Sequence, residues 1–106
     1  MKTGIELIAE ERKRQIEVEG WTTKHDNEHP ACNMALAGAC YALDVASVHG
    51  VGGNLRMMCA KLSKISWPWD EKWWKPTPED PVRQLVKACA LIAAEIDRFQ
   101  RMATSK

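Results

Sequence analysis

Apolar residues recur at helical spacing near both ends of the chain, and this pattern predicts two long helices. The first covers roughly Thr3 to Glu19 and begins with a capping box, because Thr3 and Glu6 can each satisfy an exposed backbone N–H group of the other. The second covers roughly Pro81 to Met102, with Asp80 as its N-cap. The apolar stripe of this last helix consists of Val82, Leu85, Val86, Cys89, Ile92, Ala93, Ile96 and Phe99.

The stretch from Ala31 to Val48 is apolar on nearly every side. A helix of this kind must be surrounded, so we expect both long helices to pack on it. A shorter helix is predicted over Asn54 to Lys64. Since no credible strand is found, we expect residues 1–106 to form a single all-α domain, a bundle of three to four helices. One small bundle cannot cover every apolar side, which predicts a homo-oligomer with the Ala31 to Val48 helix in its interface.

Polar side chains lie where the first helix should face the core. Glu11, Arg12 and Gln15 fall close to its apolar stripe instead of opposite it. Polar groups near a core must be paired. These residues therefore either form salt bridges within the fold or line a polar site, and the pattern leaves both possibilities open.

A polar segment that closes with a proline, residues 21–30, follows the first helix and predicts a loop. It contains His25, Asp26, Glu28 and His29, four groups that could bind a metal or transfer a proton. Such a cluster is typical of metal ligands or of a general base beside a phosphate. The alternative is structural, with Asp26 capping a turn and the histidines hydrogen-bonding across it.

Four of the five tryptophans lie in the segment from Trp67 to Pro76, before the last helix, and its prolines predict an ordered loop. Indole rings can stack on a base, and Lys72 and Lys75 could meet a phosphate. The same loop could instead be a strap that covers the open end of the bundle with aromatic rings. One loop can serve both purposes.

Composition argues against several classes of partner. The formal net charge is +1, with 15 basic against 14 acidic residues, so no strong electrostatic attraction to nucleic acid or to a membrane surface is expected. No apolar run is long enough to cross a bilayer, and the charged N-terminal stretch is unlike a signal peptide. We therefore expect a cytoplasmic protein.

Several rare blocks of residues occur in the same order as in a family of small bacteriophage and prophage proteins, which the chain resembles over most of its length. The blocks are Glu11-Arg12-Lys13-Arg14-Gln15, Glu19-Gly20-Trp21-Thr22 with His25-Asp26 and His29, Ala39-Cys40-Tyr41-Ala42, Trp67-Pro68-Trp69-Asp70, Trp73-Trp74-Lys75-Pro76, Leu85-Val86-Lys87-Ala88 and Ala94-Glu95-Ile96-Asp97-Arg98. Such proteins are similar to MazG-like all-α nucleoside triphosphate pyrophosphohydrolases. The resemblance implies a MazG-like bundle of phage or prophage origin.

The resemblance also implies a mechanism. Carboxylates on facing helices would hold Mg²⁺, which neutralises the triphosphate and activates a water, and attack at the α-phosphorus would release pyrophosphate and a nucleoside monophosphate. The implied metal ligands are Glu11, Asp26 and Glu95, and the implied catalytic groups are Glu11, His25 and His29. The implied ligand-binding residues are Arg12, Gln15, Trp21, Trp69, Trp73, Trp74, Lys75 and Lys87, with Arg12 and Lys87 on phosphate and a tryptophan beside the base.

The acidic blocks depart from the MazG-like pattern of EExxE with a downstream ExxD. Here Glu10-Glu11 is followed by Arg12-Lys13-Arg14, and Glu95 is followed by Ile96-Asp97-Arg98. An incomplete carboxylate set fits a second function, a non-catalytic sponge that binds a nucleotide second messenger in phage counter-defence. A third is a protein-interaction module that grips its partner with the tryptophan loop. Nucleotide binding with Mg²⁺-dependent hydrolysis is the function that we expect first.

Overall fold

A computed structural model describes residues 1–27 and 32–104, and of Thr23 and His25 it describes the backbone alone. The described residues form helices and no strand, so the predicted all-α bundle is confirmed. The helices are α1 (Gly4–Glu17), α2 (Thr23–Asn27), α3 (Asn33–His49), α4 (Gly53–Ile65) and α5 (Pro81–Thr104). A 3₁₀ turn, Glu71–Trp73, lies between α4 and α5. No helix in these two ranges is long and apolar enough to cross a membrane.

Both predicted helix starts are confirmed. The Thr3 hydroxyl accepts a hydrogen bond from the Glu6 amide at 3.2 Å, and the Glu6 carboxylate accepts one from the Thr3 amide at 3.1 Å. The Asp80 carboxylate accepts one from the Arg83 amide at 3.0 Å at the start of α5. Each bond satisfies a backbone donor that the first helical turn leaves without an intrahelical partner, so these local contacts determine where α1 and α5 begin.

The long helices are packed in the order α4, α3, α5, α1, and the short α2 also packs on α5. The expectation that both terminal helices pack on the central apolar helix is half wrong. α5 packs on α3, but α1 packs on α5, and within the described ranges it does not approach α3. The reason is that aromatic side chains and a cavity occupy the space between α1 and α3.

The core lies where α3 and α5 approach each other most closely. Gly38 is so near α5 that a Cβ atom at this position would lie 2.8 Å from the Ala88 carbonyl oxygen and 2.9 Å from Cγ1 of Ile92. Only glycine allows this approach, which brings buried apolar side chains into dense contact. The buried cluster consists of Met34, Ala37, Tyr41, Ala88, Leu91 and Ala94.

The apolar stripe of α5 is not its packing face. Five of its residues are between 38% and 60% exposed: Val82, Leu85, Ile92, Ile96 and Phe99. The buried residues of α5 lie on its other sides and include Gln84, Ala88, Ala90, Leu91 and Glu95. Small alanines allow neighbouring helices to come close, and the bulkier stripe is left facing outward.

α1 buries polar side chains. Glu11 and Gln15 are only 3% and 1% exposed, whereas the apolar Ile5 and Ile16 are exposed. The polar residues beside the predicted apolar stripe are therefore the ones that face the interior. Burial of such groups costs free energy unless they find a partner, so their contacts determine what this side of the bundle can do.

Candidate ligand-binding site

A cavity of about 490 Å³ lies between α1, α3, α5 and the aromatic segment, residues 67–76. Sites for small molecules in proteins usually have volumes of about 300–1,000 Å³. One wall of the cavity is aromatic and the other is charged. The lining residues are Glu11, Arg14, Gln15, Glu19, Trp21, Tyr41, Trp67, Trp69, Asp70, Trp73, Lys75, Arg83, Lys87 and Leu91.

Tyr41 of α3 anchors the aromatic wall. Its ring stacks on Trp74 with a centroid distance of 4.7 Å and an interplanar angle of 16°. It also meets Trp67 edge-on at 5.4 Å, and Trp67 meets Trp69 edge-on at 5.5 Å. Stacked and edge-to-face rings are both favourable arrangements, so this chain of contacts holds the indoles in position.

The Tyr41 hydroxyl fixes the backbone of the aromatic segment. It accepts a hydrogen bond from the Lys75 amide at 3.1 Å and donates one to the Trp73 carbonyl at 3.4 Å. Burial raises the pKa of Tyr41, against a smaller opposing effect of the Lys75 amide, and the hydroxyl therefore stays protonated at neutral pH. The aromatic segment thus packs on the core and also forms a wall of the cavity, which combines the two arrangements that the sequence left open.

Glu11 is the centre of the charged wall. Its two carboxylate oxygens accept hydrogen bonds from Nε and Nη2 of Arg14 at 2.8 and 2.9 Å, and Arg83 Nη1 adds a third at 2.7 Å. Burial raises the pKa of Glu11, but the hydrogen bonds and charges of Arg14 and Arg83 together outweigh it, so this pKa lies below its ordinary value. Arg14 also binds Glu19 at 2.7 Å. Carboxylates thus engage both guanidinium groups of this wall.

Lys75 and Lys87 are the cavity cations that have no carboxylate partner among the described residues. Lys87 Nζ donates a hydrogen bond to the Lys75 carbonyl at 2.8 Å and lies 4.8 Å from the centroid of the Tyr41 ring. Burial, followed by the positive charge of Arg83, lowers the pKa of Lys87. A bound anion would relieve this penalty, so the two lysines are suited to a phosphate group.

Gln15 lines the cavity with a buried amide. Within the described part of the chain, neither its Oε1 nor its Nε2 has a hydrogen-bond partner. Leaving such a group unpaired costs roughly 1–3 kcal/mol. Its backbone carbonyl accepts the Trp21 amide at 2.9 Å, after Gly20 turns the chain with a φ of +73°. Glycine adopts this left-handed conformation readily, and the turn places Trp21 beside Gln15 at the cavity.

The structure brings most of the predicted ligand-binding residues into this cavity: Glu11, Gln15, Trp21, Trp69, Trp73, Lys75 and Lys87. Two others lie elsewhere, since Trp74 stacks behind the wall on Tyr41 and Arg12 binds Asp26 at 2.7 Å. The predicted catalytic residue His29 lies outside the described residues, and of His25 only the backbone, in α2, is described.

The three predicted metal ligands are not brought together. Asp26 is fully buried against Arg12, Glu95 accepts a hydrogen bond from Arg98 Nε at 2.6 Å, and Glu11 is held by its own arginines. In the ranges 1–27 and 32–104, no three His, Cys, Asp or Glu side chains are placed to hold a metal ion. Separate salt bridges, the alternative that the sequence left open for the first helix, account for this arrangement.

The predicted loop over residues 21–30 contains the short helix α2. Asp26 lies within this helix and pairs with Arg12 of α1, so it does not cap a turn. Asn27 Oδ1 accepts a hydrogen bond from Arg101 Nη2 at 3.1 Å, which connects α2 to the end of α5. These contacts position the chain where it leaves the cavity, immediately after Trp21.

Sequence reasoning missed six lining residues: Arg14, Tyr41, Trp67, Asp70, Arg83 and Leu91. One signal could have found two of them, because Arg83 and Leu91 lie one helical turn before and after the predicted Lys87. Arg14 lies in a run of alternating charges that is typical of a solvated helix face. Tyr41 lies in an apolar run, where an aromatic residue is expected in the core.

Comparison with models of protein families, with curated proteins and with solved structures gives no significant match to this chain. The MazG-like resemblance therefore stays a prediction that depends on the blocks of residues quoted above. The function must be argued from the cavity itself.

Proposed function

We propose that the protein binds a nucleotide, or a small molecule derived from one, in the cavity beneath the aromatic segment. The observation that carries this proposal is the position of indole rings beside two lysines without carboxylate partners, within one cavity of about 490 Å³. Indole faces suit a base, since aromatic stacking contributes about 1–3 kcal/mol per base. Lys75 and Lys87 suit phosphate, because charge-assisted hydrogen bonds are the strong ones.

We propose binding without hydrolysis as the first form of this function. The carboxylates fit Mg²⁺ poorly, since Glu11 already accepts hydrogen bonds from two arginines and the Asp26 and Glu95 carboxylates have arginine partners of their own. A metal would have to displace guanidinium groups from these acids. Sequestration of a nucleotide second messenger by a phage protein needs only affinity, which such a cavity can supply.

Mg²⁺-dependent pyrophosphohydrolysis is the second candidate, and the position of Glu11 in the cavity wall supports it. A carboxylate at this place is what attack on a bound triphosphate would require nearby. The same residue is also the one most strongly engaged by arginines. The two candidates therefore differ in whether Glu11 is a structural anion or a reacting group.

A binding experiment on the full chain tests the proposal. Calorimetry and tryptophan fluorescence would be recorded with ATP, GTP, CTP, UTP and cyclic di-AMP, each in EDTA and in Mg²⁺. Replacing Lys87 by Met should weaken binding by about 1–3 kcal/mol. Lys61→Met, on the exposed surface of α4, is the matched control and should have no effect. If none of the five probes binds under either condition, the proposal is wrong.

A turnover assay separates the two candidates. Pyrophosphate release would be measured on the same samples with each triphosphate in Mg²⁺. Binding in EDTA without turnover in Mg²⁺ supports the sponge. Turnover that Glu11→Gln abolishes, while the melting temperature and Lys87-dependent binding persist, supports the hydrolase.

We also propose that the chain self-associates through α5. Its exposed apolar residues at positions 82, 85, 89, 92, 96 and 99 are separated alternately by three and four residues. This is the spacing of a coiled-coil seam, which a second copy of the same helix can complete. α3, which the sequence predicted for the interface, lies between α4 and α5, so we place the proposed interface on α5 instead.

Light scattering of the full chain tests this association. A mass of two chains or more at micromolar concentration is expected for the wild type, and one chain for Ile96→Lys. Ile96 is 53% exposed, so the substitution leaves the fold intact. Val51→Lys, at an exposed position outside α5, is the control and should not change the mass. A monomeric wild type would refute the proposal.

A further inference from the structure

We infer, on the basis of the proposed nucleotide-binding function, that the cavity is specific for adenine and that Gln15 recognises the edge of the base. Gln15 is the lining residue whose planar amide is buried, faces the aromatic wall and has no hydrogen-bond partner among the described residues. Native proteins seldom leave such a group unpaired, and those that exist have a reason. A ligand edge that completes its hydrogen bonds is that reason here.

The chemistry of the amide defines the ligand edge. Gln15 offers one acceptor, Oε1, beside donors on Nε2, in one plane. The complementary edge carries a donor beside an acceptor, and adenine presents its amino group beside a ring nitrogen. Glutamine pairs with adenine in this bidentate manner wherever the geometry allows. Trp21, on the neighbouring backbone, and Trp69 line the same cavity and can place the base in the plane of the amide.

The charged wall argues against a guanine-type edge. Guanine presents two acceptors, for which the fork of an arginine is the matching donor. Arg14 directs Nε and Nη2 to Glu11 and Nη1 to Glu19. Arg83 also directs Nη1 to Glu11. The arginines are therefore committed to carboxylates, and Gln15 is the planar group left for the base.

The energetic consequence is selectivity. A site built around a buried hydrogen-bonding group rejects an analogue that lacks the partner, because the protein group is then left unpaired. A bidentate pair with a base edge discriminates by about 1–3 kcal/mol, which corresponds to roughly a 5- to 150-fold difference in Kd.

The experiment compares ATP with purine riboside triphosphate, which lacks the amino group of adenine and is otherwise identical. Dissociation constants would be measured by tryptophan fluorescence on the full chain in EDTA. The wild type should bind ATP about 5- to 150-fold more tightly than the analogue. In Gln15→Leu this ratio should fall to near one, because no side-chain group remains to meet the amino group. Gln100→Leu, at an exposed position on α5, is the matched control and should keep the wild-type ratio.

Each result has one meaning. A ratio near one in the wild type, or an unchanged ratio in Gln15→Leu, overturns the inference while nucleotide binding itself stands. Tighter binding of GTP than of ATP overturns the adenine assignment. Failure of ATP, the analogue and GTP to bind contradicts adenine recognition, and failure of CTP, UTP and cyclic di-AMP as well would refute the proposed function. A melting curve of Gln15→Leu shows whether the variant is folded, and the wild-type ratio tests the inference without any variant.

Discussion

The contact of α3 with α5 is built from small apolar residues, whereas the contact of α1 with α5 is built from charges. Gly38 and Ala88 let the first pair of helices approach to the limit of steric contact. In the second pair, Glu11 of α1 accepts a hydrogen bond from Arg83 of α5, and Gln15 is buried without a partner among the described residues.

The difference shows how one helix supports both a core and a site. Close packing of α3 on α5 supplies dispersion contacts and excludes water. Long charged side chains hold α1 at a greater distance, and the cavity lies in the space that results. Substitutions on the α3 side should therefore lower stability, whereas those on the α1 side should alter binding more than folding.

The largest effect is expected for Gln84→Leu, on the α3 side. This side chain is fully buried, donates hydrogen bonds to the Tyr41 carbonyl at 3.0 Å and Asp44 Oδ2 at 2.7 Å, and accepts one from the Thr77 amide at 2.6 Å. Their loss should reduce the free energy of unfolding by about 2–4 kcal/mol, since the partners remain buried. Urea denaturation measures this. A loss no greater than that of the exposed Gln100→Leu would contradict the prediction.

Gly38→Ala should have the next largest effect. The added Cβ would meet the Ala88 carbonyl oxygen, which is backbone and cannot rotate away, so the two helices must separate. We expect a loss of about 1–3 kcal/mol in thermal or urea unfolding. Gly4→Ala is the control, because nothing lies within 4 Å of a Cβ at that position. Equal stability of the two variants would show that the close approach of α3 and α5 is not tight in solution.

On the α1 side, Glu11→Gln should have a smaller effect that depends on pH. The pKa of Glu11 is below its ordinary value in the folded protein, because Arg14 and Arg83 together outweigh the effect of burial. Its stabilising contribution is therefore complete above the pKa of an unfolded glutamate and is lost as the pH falls through the folded pKa. We expect a difference of about 1.5 kcal/mol between wild type and variant at neutral pH.

Urea denaturation at several pH values measures this difference. It should shrink progressively below roughly pH 4, where the carboxylate of the unfolded chain takes up its proton. Glu17→Gln, at an exposed position on the same helix, provides the control. A Glu11→Gln difference that is the same at every pH would mean that the arginines do not hold the carboxylate in solution.

The smallest effect, with the opposite sign, is expected for Gln15→Leu. Leucine is of similar size and has no polar group, so the variant no longer buries an unpaired amide and should be more stable by about 1 kcal/mol. The same substitution thus destabilises the protein at Gln84 and stabilises it at Gln15. Thermal melts of the two variants under one condition measure both. A clear loss of stability at Gln15 would show that its amide has a structural partner.

Local interactions allowed the helices to be predicted from the sequence. The described helices begin and end within two residues of the predicted ranges. Thr3 with Glu6 and Asp80 with Arg83 are contacts between residues three apart, so they exist in any conformation in which the helix starts there. The tryptophans and lysines of the aromatic segment were likewise predicted as a possible ligand wall, because their chemistry does not depend on the rest of the fold.

Only the tertiary structure decided which face of each helix is buried and which charges meet. Helical periodicity identifies an apolar stripe but not its partner, and on α5 the exposed stripe is the more apolar side. Glu11 and Arg83 are 72 positions apart, so no local pattern could pair them. The predicted metal ligands separated because each carboxylate lies within reach of an arginine, and an ion pair in a partly buried place is strong enough to determine where the acid points.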